Sequence, residues 1–527
     1  MDSNPLSDTA LVERDPRRRR MILISMCVAL VAVIASVSGL NVAQQDLAVD
    51  LGASQNMLLW IINGYTLVLA ALLLPIGAIG DRWGRKPVLL VGLGLFAAAN
   101  LVASMATSAD VMLIARLVAG AGAAMIMPVT LSVITSSFPE DERGSAVGVW
   151  AGFAGAGGIL GLFFSSAMVD WFTWPWLFAM PIALCVVSFA MTMVFVDNSR
   201  EAHEHSFDLT GGLLSAVGIA GLVLAFHEGP EHGWTTGLTL LGAVVGVASV
   251  AGFIVWELRH SHPLLDVRLF RNRSLSSGSL NLMIVFAVMF GLFLVLVQFL
   301  QAVLGFSALR ASAGLLPMAA VMMPLSNIAP KIVARLGVRI TLITGTSLFG
   351  IGLVAMALMT SVDGGYFSIL PGLLLIGAGM GLAMTPSTIA ITGSLPTEKQ
   401  GVASALNDTV RELGGAIGVA LLGSVLSSGY RSNIGSIVAT LPVPFRGPVE
   451  DGIGTALAVA PQLGEQGNAV VAAAREAFVE GWRTSMWIGV GLAAVAVVLL
   501  VVRGPQDAPA VVESTAEAET LALSGAR

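Results

Sequence analysis

The chain has 527 residues, of which 56% are hydrophobic and 11% are charged, and its formal net charge is −6. Soluble globular proteins carry about 25% charged residues, so this composition excludes a soluble globule and predicts an all-α polytopic membrane protein. The only two cysteines, Cys27 and Cys185, lie within apolar segments, which excludes a disulfide framework and a cysteine metal site.

Residues 1–21 are predicted to form a cytoplasmic N-terminal tail. The tail carries four consecutive arginines, Arg17 to Arg20, directly before the first apolar segment. No small-residue cleavage signature follows, so the segment is interpreted as an uncleaved first helix rather than as a signal peptide. Because positive charges stay on the cytoplasmic side, the N-terminus should also stay there.

Fourteen apolar runs are long enough to cross about 30 Å of hydrocarbon as helices. They lie near 22–41, 57–79, 88–106, 111–134, 144–169, 174–196, 208–227, 235–256, 277–303, 312–330, 340–360, 367–394, 402–429 and 484–502. An even number places both termini in the cytoplasm and most Lys and Arg on that side. We therefore predict an N-terminal six-helix half over 22–196, two inserted transmembrane helices within 197–256, and a C-terminal six-helix half over 277–502.

Three segments outside the apolar runs complete the predicted organisation. Residues 257–276 alternate arginines with leucines, a pattern that predicts a cytoplasmic amphipathic helix on the membrane surface. Residues 430–482 are predicted to form a long extracytoplasmic loop. Residues 503–527 are predicted to form a polar cytoplasmic tail.

An internal repeat supports two related halves. Gly120-x-Gly122 returns as Gly377-x-Gly379 at an offset of 257 residues. Gly144, Gly157, Gly158 and Gly161 return as Gly401, Gly414, Gly415 and Gly418 at the same offset, and Arg82-x-Gly84 returns as Arg335-x-Gly337 at an offset of 253. Parallel repeats of this kind are how facilitator-type transporters are built, with their substrate sites near the midplane between the halves.

The turn between the second and third runs spaces charges with glycines. It reads Gly77-Ala-Ile-Gly-Asp81-Arg82-Trp-Gly84-Arg85-Lys86. It resembles the loop between helices two and three of major facilitator superfamily transporters, whose pattern is Gly-x-x-x-Asp-Arg-x-Gly-Arg-Arg/Lys. The resemblance implies a major facilitator fold, here with two six-helix halves plus two inserted helices. It also implies a cytoplasmic conformational latch, to which we add Arg335 and Arg339 in the second half; the alternative is a solvated loop.

Arg116, in the fourth run, resembles the arginine of a second motif of the family, Arg-x-x-Gln-Gly-x-Gly. Gly120 and Gly122 also match, whereas Ala119 stands where glutamine is usual. An arginine among apolar membrane residues must face a cavity or a partner. The resemblance implies that Arg116 acts on substrate or proton binding, and the alternative is a brace between two helices.

The fifth run partly resembles the family's antiporter motif, Gly-x8-Gly-x3-Gly-Pro-x2-Gly-Gly. Gly148, Gly157 and Gly161 match its first three glycines. Leu162 replaces the proline, and Ser165 and Ser166 replace the closing glycines. Small residues still permit close helix packing, but the bend that proline imposes is absent.

Two acids that the fourteen-helix relatives often carry are absent from this chain. Ser36 occupies the position five residues before Asn41-Val-Ala, where aspartate is common, and Asn63 replaces the aspartate of Trp-Ile-Val-Asp. Both of these common proton or cation sites are therefore neutral, so the mode of coupling stays open.

The thirteenth run contains Asn407-Asp408-Thr-Val-Arg411-Glu412-Leu-Gly-Gly, similar to a run in actinobacterial drug exporters. On a helix, Asp408 and Glu412 share a face and Arg411 lies three residues from Asp408. A buried carboxylate beside an arginine can alternate between a paired and a protonated state. We therefore predict proton coupling at Asp408, Glu412 and Arg411, with Arg116 contributing; the alternative is a static brace.

No fixed motif marks a substrate site, so the cavity residues are predicted from their chemistry. Methionine adapts its shape and aromatic rings accept cations on their faces, which suits lipophilic or cationic molecules. The predicted cavity residues are Asn41, Asn63, Met125, Met127, Trp150, Phe153 and Met384. Ordinary helix packing is the alternative for each of them.

Together these features predict a multidrug exporter of the fourteen-helix drug:proton antiporter family in a bacterial inner membrane. It should work as a monomer among membrane lipids, with protons as the coupling ion, no other cofactor and no nucleic-acid partner. An enzyme is excluded because no nucleophile–base pair, phosphate loop or metal-ligand spacing stands out. Two alternatives remain open: an uncoupled carrier or flippase for an endogenous lipophilic compound, and a transport-dead scaffold or sensor that binds a partner through loop 430–482.

Overall fold

The computed structural model describes residues 13–40, 43–199 and 207–505. These residues contain fourteen helices that are long and apolar enough to span a membrane, and no β-strand. The helices are α1 (Pro16–Leu40), α2 (Gln55–Trp83), α3 (Arg85–Ser104), α4 (Ala109–Ser137), α5 (Glu140–Trp171), α6 (Ala179–Phe195), α7 (Leu209–His232), α8 (Gly237–Arg259), α9 (Arg273–Gln298), α10 (Leu316–Leu336), α11 (Val338–Met359), α12 (Leu370–Thr392), α13 (Gln400–Val438) and α14 (Glu465–Arg503). The predicted all-α fold with fourteen spans is confirmed.

Several helix ends differ from the predicted bounds because polar residues continue the helices beyond the apolar runs. Helix α1 begins at Pro16, since proline at the first position has the φ angle that a helix needs. A short helix, Gln44–Asp50, follows α1. The sixth run begins as a 3₁₀ turn, Trp174–Phe178, the ninth ends in a π turn, Phe299–Val303, and a short helix, Ala308–Ala313, precedes α10.

The two halves repeat the same close contacts. In the first half, a Cβ on Gly120 would collide with the carbonyl oxygen of Tyr65, and in the second half a Cβ on Gly377 would collide with that of Met318. Likewise Gly122 packs on Phe96, and Gly379 packs on Phe349. Both partners in each second-half pair lie 253 or 257 residues after their counterparts, so the sequence repeat is also a repeat of packing.

The halves meet mainly along two helix pairs. Helix α2 packs against α13, and α5 packs against α10. The inserted helices α7 and α8 pack against each other, and α7 also contacts α2 and α13. Most of α8 is exposed on the outside of the bundle, where its apolar side chains suit a lipid environment. The inserted pair therefore lies beside the α2–α13 interface.

The expected amphipathic helix over 257–276 is not present in the structure. Helix α8 runs to Arg259, and an irregular connection with only a short 3₁₀ turn, Val267–Arg271, leads to α9. Leu264 and Leu265 are buried in the protein core rather than turned toward a membrane surface. Pro263 precedes them and has no N–H for a helical hydrogen bond, which accounts for the interruption.

The expected loop over 430–482 is largely helical. Helix α13 continues to Val438 and α14 begins at Glu465. Tyr430, Ile434 and Val438 are buried at intervals of four residues, so α13 keeps one apolar face beyond its membrane span. Two short helices, Val443–Asp451 and Ile453–Val459, and a 3₁₀ turn, Ala460–Leu463, join α13 to α14.

Four predicted features fall wholly or partly outside the described residues. These are the N-terminal tail 1–21, of which residues 1–12 are not described, Asn41, named as a cavity residue, the inserted segment 197–256, of which 200–206 are not described, and the tail 503–527 from residue 506 onward.

Packing between α9 and α13 gives the first testable prediction. Gly418 lies directly against the carbonyl of Ala287, so a Cβ at this position has no space. Overpacking of this kind costs about 1–3 kcal/mol, and Gly418→Ala should lower the unfolding temperature of the purified protein. Gly435→Ala in the same helix meets nothing within 4 Å and serves as the control. Equal unfolding temperatures for the two variants would show that the α9–α13 contact is looser than described.

Candidate functional site

The turn between α2 and α3 joins the two halves through Asp81. This side chain is buried, and its Oδ1 accepts a 2.8 Å bond from Arg85 Nη2. Its two oxygens also accept the backbone N–H groups of Gly401 at 2.8 Å and Val402 at 3.1 Å. These N–H groups belong to the first turn of α13, where the backbone N–H groups have no acceptor within the helix. Asp81 therefore caps a helix of the other half with a full charge at its positive end.

Glycine at two positions permits this contact. A Cβ on Gly77 would lie 2.5 Å from the carbonyl oxygen of Gly401, so the backbones of α2 and α13 touch here. Gly84, between α2 and α3, has φ +110°, a conformation that strains other residues. The motif glycines thus bring Asp81 within reach of α13.

Lys86, another basic residue of the turn, contacts the first half. Lys86 Nζ donates to the carbonyl oxygen of Met193 at 3.0 Å, and Arg82 is partly exposed. We call Asp81 and Arg85, with the first turn of α13, the latch cluster, and the end of the bundle that contains it the latch end.

The second half repeats the turn but not the carboxylate. Gly337 has φ +83° and corresponds to Gly84, but Ala334 stands at the position that corresponds to Asp81. Arg339 donates to the carbonyl of Val501 in α14, and Arg335 is exposed. Of the eight residues predicted to form the latch, Gly77, Asp81 and Arg85 therefore lie at the contact between the halves.

Arg116 is buried inside the first half. Its Nη1 donates to Ser36 Oγ at 2.9 Å, its Nε donates to the carbonyl oxygen of Ile61 at 3.4 Å, and its guanidinium lies 4.1 Å from the centre of the Tyr65 ring. Ser36 in turn donates to Asn100 at 3.2 Å. The neutral Ser36 thus lies directly beside Arg116, and the aromatic face of Tyr65 takes part of the role of a counter-charge.

A second buried group lies in α13, where the halves meet. Arg411 Nη1 donates to Asp408 Oδ1 at 3.0 Å. The Arg411 guanidinium lies 5.6 Å from the Trp150 ring of the first half and 4.6 Å from the Phe286 ring of the second. Arg411 is therefore held between the two halves.

This second group is incompletely hydrogen-bonded. Asp408 Oδ2, Arg411 Nε and the side-chain oxygen of Asn407 are buried without a hydrogen-bond partner. Glu412 interacts electrostatically with Arg411 and Asp408, and also with Tyr65, the residue that stacks on Arg116. The predicted coupling residues therefore lie in two places: Arg116 is buried inside the first half, whereas Asp408, Arg411 and the half-buried Glu412 follow one another on α13 where the halves meet.

The predicted cavity residues are mostly packed rather than open. Trp150 is buried and its Nε1 donates to Thr130 at 3.1 Å. Met127 and Met384 are buried, while Met125 and Phe153 are partly buried. Asn63 lines a cavity of about 10 Å³ between α2 and α7, with Trp60 and His227 among its other walls. Trp150 is the member of this set that reaches the α13 charges.

The antiporter-like glycines of α5 form helix contacts. Gly148 lies against Ser326 of α10, whereas Gly157 and Gly161 lie against Ile34 and Ala35 of α1. No proline interrupts α5, in keeping with Leu162 at the usual proline position. These glycines thus pack α5 against one helix of each half.

Sequence reasoning missed Tyr65 and Phe286, the rings that contact Arg116 and Arg411. Phe286 is one of 22 phenylalanines and gives no signal of its own. Tyr65 is one of only three tyrosines, and its hydroxyl lies 3.4 Å from the carbonyl oxygen of Val33 in α1. A rare polar aromatic inside an apolar run was the available signal.

Comparison with known proteins gives a consistent family. The family model of the Major Facilitator Superfamily matches residues 24–419. Multidrug resistance protein Stp of Mycobacterium tuberculosis is 30% identical over 413 residues, 78% of this chain and 76% of that protein. Methyl viologen resistance protein SmvA of Salmonella typhimurium is 31% identical over 467 residues (88% and 93%), and multidrug efflux pump LfrA of Mycolicibacterium smegmatis is 31% identical over 462 residues (88% and 91%).

Solved structures show the same fold. The proton:xylose symporter XylE superimposes with a TM-score of 0.58 at 12% identity, covering 93% of this chain and 96% of that one. A bacterial homologue of the lysosomal transporter Spinster gives a TM-score of 0.57 at 16% identity, covering 93% and 98%.

The latch cluster gives the second prediction. Asp81→Ala leaves Arg85 buried without its carboxylate, and breaking a buried pair in this way costs about 3–5 kcal/mol. The first-turn amides of α13 also lose their acceptors, so hydrogen exchange across residues 400–404 should become faster and the unfolding temperature should fall. Asp141→Ala removes an exposed carboxylate at the start of α5 and is the control. Unchanged exchange in Asp81→Ala would argue against the cap.

Proposed function

Because the chain belongs to the major facilitator superfamily, we propose that it exports lipophilic or cationic drugs across a bacterial cytoplasmic membrane in exchange for protons. Its relatives and structural neighbours are transporters rather than enzymes. The names of three relatives specify multidrug resistance, methyl viologen resistance and multidrug efflux, which supports drugs as the substrate class. The protein acts as a monomer, its only cofactor is the coupling proton, and both termini lie in the cytoplasm.

The observation that carries the proposal is the buried Asp408–Arg411 pair between the two halves. An ion pair in a low-dielectric interior is stable only while its partners stay together. When Asp408 binds a proton, it loses its charge and its hold on Arg411 weakens. Arg411 can then shift against the Trp150 and Phe286 rings, and the contact between the halves changes.

Antiport follows from competition for this group. The ionised Asp408 attracts a cationic or amphipathic compound toward the Trp150 ring, where the positive end of the compound also meets an aromatic face. A proton arriving from outside neutralises the same carboxylate and lowers the affinity for the compound. Proton and drug therefore occupy the site in alternate states, as exchange requires.

Helix α13 connects this event to the latch end. Asp408 lies seven residues after Gly401 in the same helix, about 10 Å along its axis. A tilt of α13 that follows protonation pulls its first turn away from Asp81. The latch cluster then opens as the opposite end closes, which is alternating access by rigid halves.

Glu412 and Arg116 extend the pathway into the first half. Glu412 interacts electrostatically with both Arg411 and Tyr65. Tyr65 stacks on Arg116, so Glu412 and Tyr65 offer a route by which a change of charge at Asp408 acts on Arg116. This arrangement takes the place of the acids that are absent at Ser36 and Asn63.

The third prediction tests the coupling directly. Energised inverted vesicles containing the protein should lose part of their pH gradient when a cationic dye, biocide or lipophilic antibiotic is added. Asp408→Asn, which stays neutral at every pH, should reduce this response to the level of vesicles that lack the protein. Asp363→Asn, which changes an exposed carboxylate, should respond like the native chain.

The same assay separates the alternatives. Compound flux without proton movement in the native protein would favour an uncoupled carrier or flippase for a lipophilic compound. No flux of any compound, together with a partner lost on shortening the 439–464 connection, would favour a transport-dead scaffold or sensor. Full proton-coupled activity in the Asp408→Asn protein would show that another residue is the coupling group.

A further inference from the structure

Two buried carboxyl groups lie together at the latch end of the inserted helices. Asp208 directly precedes α7, and Glu257 lies in the last turn of α8; the two residues are 7% and 0% exposed. Glu257 Oε1 and Asp208 Oδ2 both lie against the position that a Cβ on Gly211 would occupy. The two oxygens are therefore near neighbours, and only glycine at position 211 leaves room for them.

The hydrogen bonds of the two groups are unequal. Asp208 accepts the backbone N–H of Gly211 at 2.8 Å and the Trp256 indole N–H at 2.9 and 3.1 Å. Glu257 Oε2 accepts the backbone N–H of Leu265 at 3.3 Å, and the backbone N–H of Leu264 also faces this carboxylate. Glu257 Oε1 is buried without a hydrogen-bond partner. The oxygen that faces Asp208 is thus the one that lacks a donor.

Neighbouring cations do not supply that donor. Lys399, just before α13, interacts electrostatically with Glu257, but its Nζ donates to the carbonyl oxygen of Pro263 at 3.3 Å. The guanidinium of Arg268 donates to the carbonyl oxygen of Leu258 at 2.7 Å. The His260 ring stacks on Trp256, with 5.3 Å between the ring centres. Asp208 and Lys399 are therefore the charged groups that face Glu257 in the described part of the chain.

We propose that Glu257 and Asp208 form a proton-binding site in which one proton is shared, with Glu257 Oε1–H donating to Asp208 Oδ2. The proton gives the orphan oxygen the partner that buried polar atoms need. It also leaves a single negative charge on the pair, which removes the repulsion between two adjacent carboxylates.

A proton fits this site better than a metal cation. Ca²⁺ takes six to eight oxygen ligands, whereas the described residues contain no group of three or more His, Cys, Asp or Glu side chains that would hold a metal. The carbonyl oxygen of Pro263, in the same connection, already accepts a hydrogen bond from Lys399. The two carboxyl groups therefore supply a donor and an acceptor for one shared proton, but too few oxygen ligands for Ca²⁺.

The site joins the inserted pair to the latch end. Asp208 caps α7, Glu257 belongs to α8 and holds the 264–265 backbone, and Lys399 ties this connection to the start of α13. The proton therefore fastens α7 and α8 to the segment beside the latch cluster. It lies outside the Asp408 pathway, so the inference stands independently of proton-coupled export.

The fourth prediction concerns the infrared spectrum of the purified full-length protein in lipid nanodiscs at neutral pH. A protonated carboxyl group gives a C=O stretching band that shifts on exchange into D₂O. The difference spectrum of the native protein minus Glu257→Gln should contain one such band. Its area should equal that of one protonated carboxyl group. Glu480→Gln, which changes a half-exposed carboxylate paired with Arg483, should leave this region of the spectrum unchanged.

A second variant tests whether the proton is shared. Asp208→Asn removes the neighbouring charge and supplies an amide N–H that can donate to an ionised Glu257, so it should abolish the same band. An unchanged band in Glu257→Gln would overturn the site, and an unchanged band in Asp208→Asn would overturn the sharing. Loss of the native band on adding Na⁺ or K⁺ at constant pH would instead identify a cation site.

Discussion

The contact between Asp81 and the first turn of α13 is the interaction on which the arrangement of the two halves depends. A buried carboxylate is unfavourable unless its oxygens are fully used. Here they accept two backbone N–H groups and the Arg85 guanidinium. All of these bonds are charge-assisted, and two of them belong to the opposite half. Neither half alone can satisfy this carboxylate, so the halves are held together at this end.

The charged pair at the centre of the molecule differs from Asp81, because its hydrogen bonds are incomplete. The Asp408–Arg411 pair leaves atoms of both residues without hydrogen-bond partners, and each such atom costs about 1–3 kcal/mol. The structure thus contains one satisfied charged group that holds the halves and one unsatisfied group that gains from rearrangement. Helix α13 contains Asp408 and Arg411, and its first turn binds Asp81, which allows a change at the centre to reach the end of the bundle.

The number of helices and the latch motif could be predicted from sequence because both are local. An apolar run of about twenty residues has one stable structure in a membrane, and a glycine-spaced turn such as Gly77 to Lys86 carries its own geometry. The helical character of residues 257–276 and 430–482 was predicted wrongly because each depends on partners far away in sequence. Leu264 and Leu265 have a core to enter only after α8 and α9 have packed, and Tyr430 is fixed by the carbonyl oxygen of Val449.

The candidate site shows the same division. The run around Asp408 identified the charges, and helical spacing placed Arg411 beside Asp408. The rings of Trp150 and Phe286 come from helices of different halves, so no local pattern connects them to Arg411. Glu257 could not be predicted as a site residue for a related reason. A glutamate at the end of an apolar run resembles an ordinary boundary residue until its neighbour Asp208, before the other inserted helix, is known.

The absence of a counterpart to Asp81 in the second half makes the two related interfaces unequal in strength. At the α2–α13 contact, separation must break the two charge-assisted bonds from Gly401 and Val402 to Asp81. At the α5–α10 contact, Ala334 replaces the acid, and Ser326 Oγ with its 2.9 Å bond to the carbonyl oxygen of Gly148 accompanies the packing of small residues. The two contacts thus match in shape, but one is ionic while the other is formed by small residues and a neutral hydrogen bond. In the proposed transport cycle, the α5–α10 contact should therefore separate at lower cost than the α2–α13 contact.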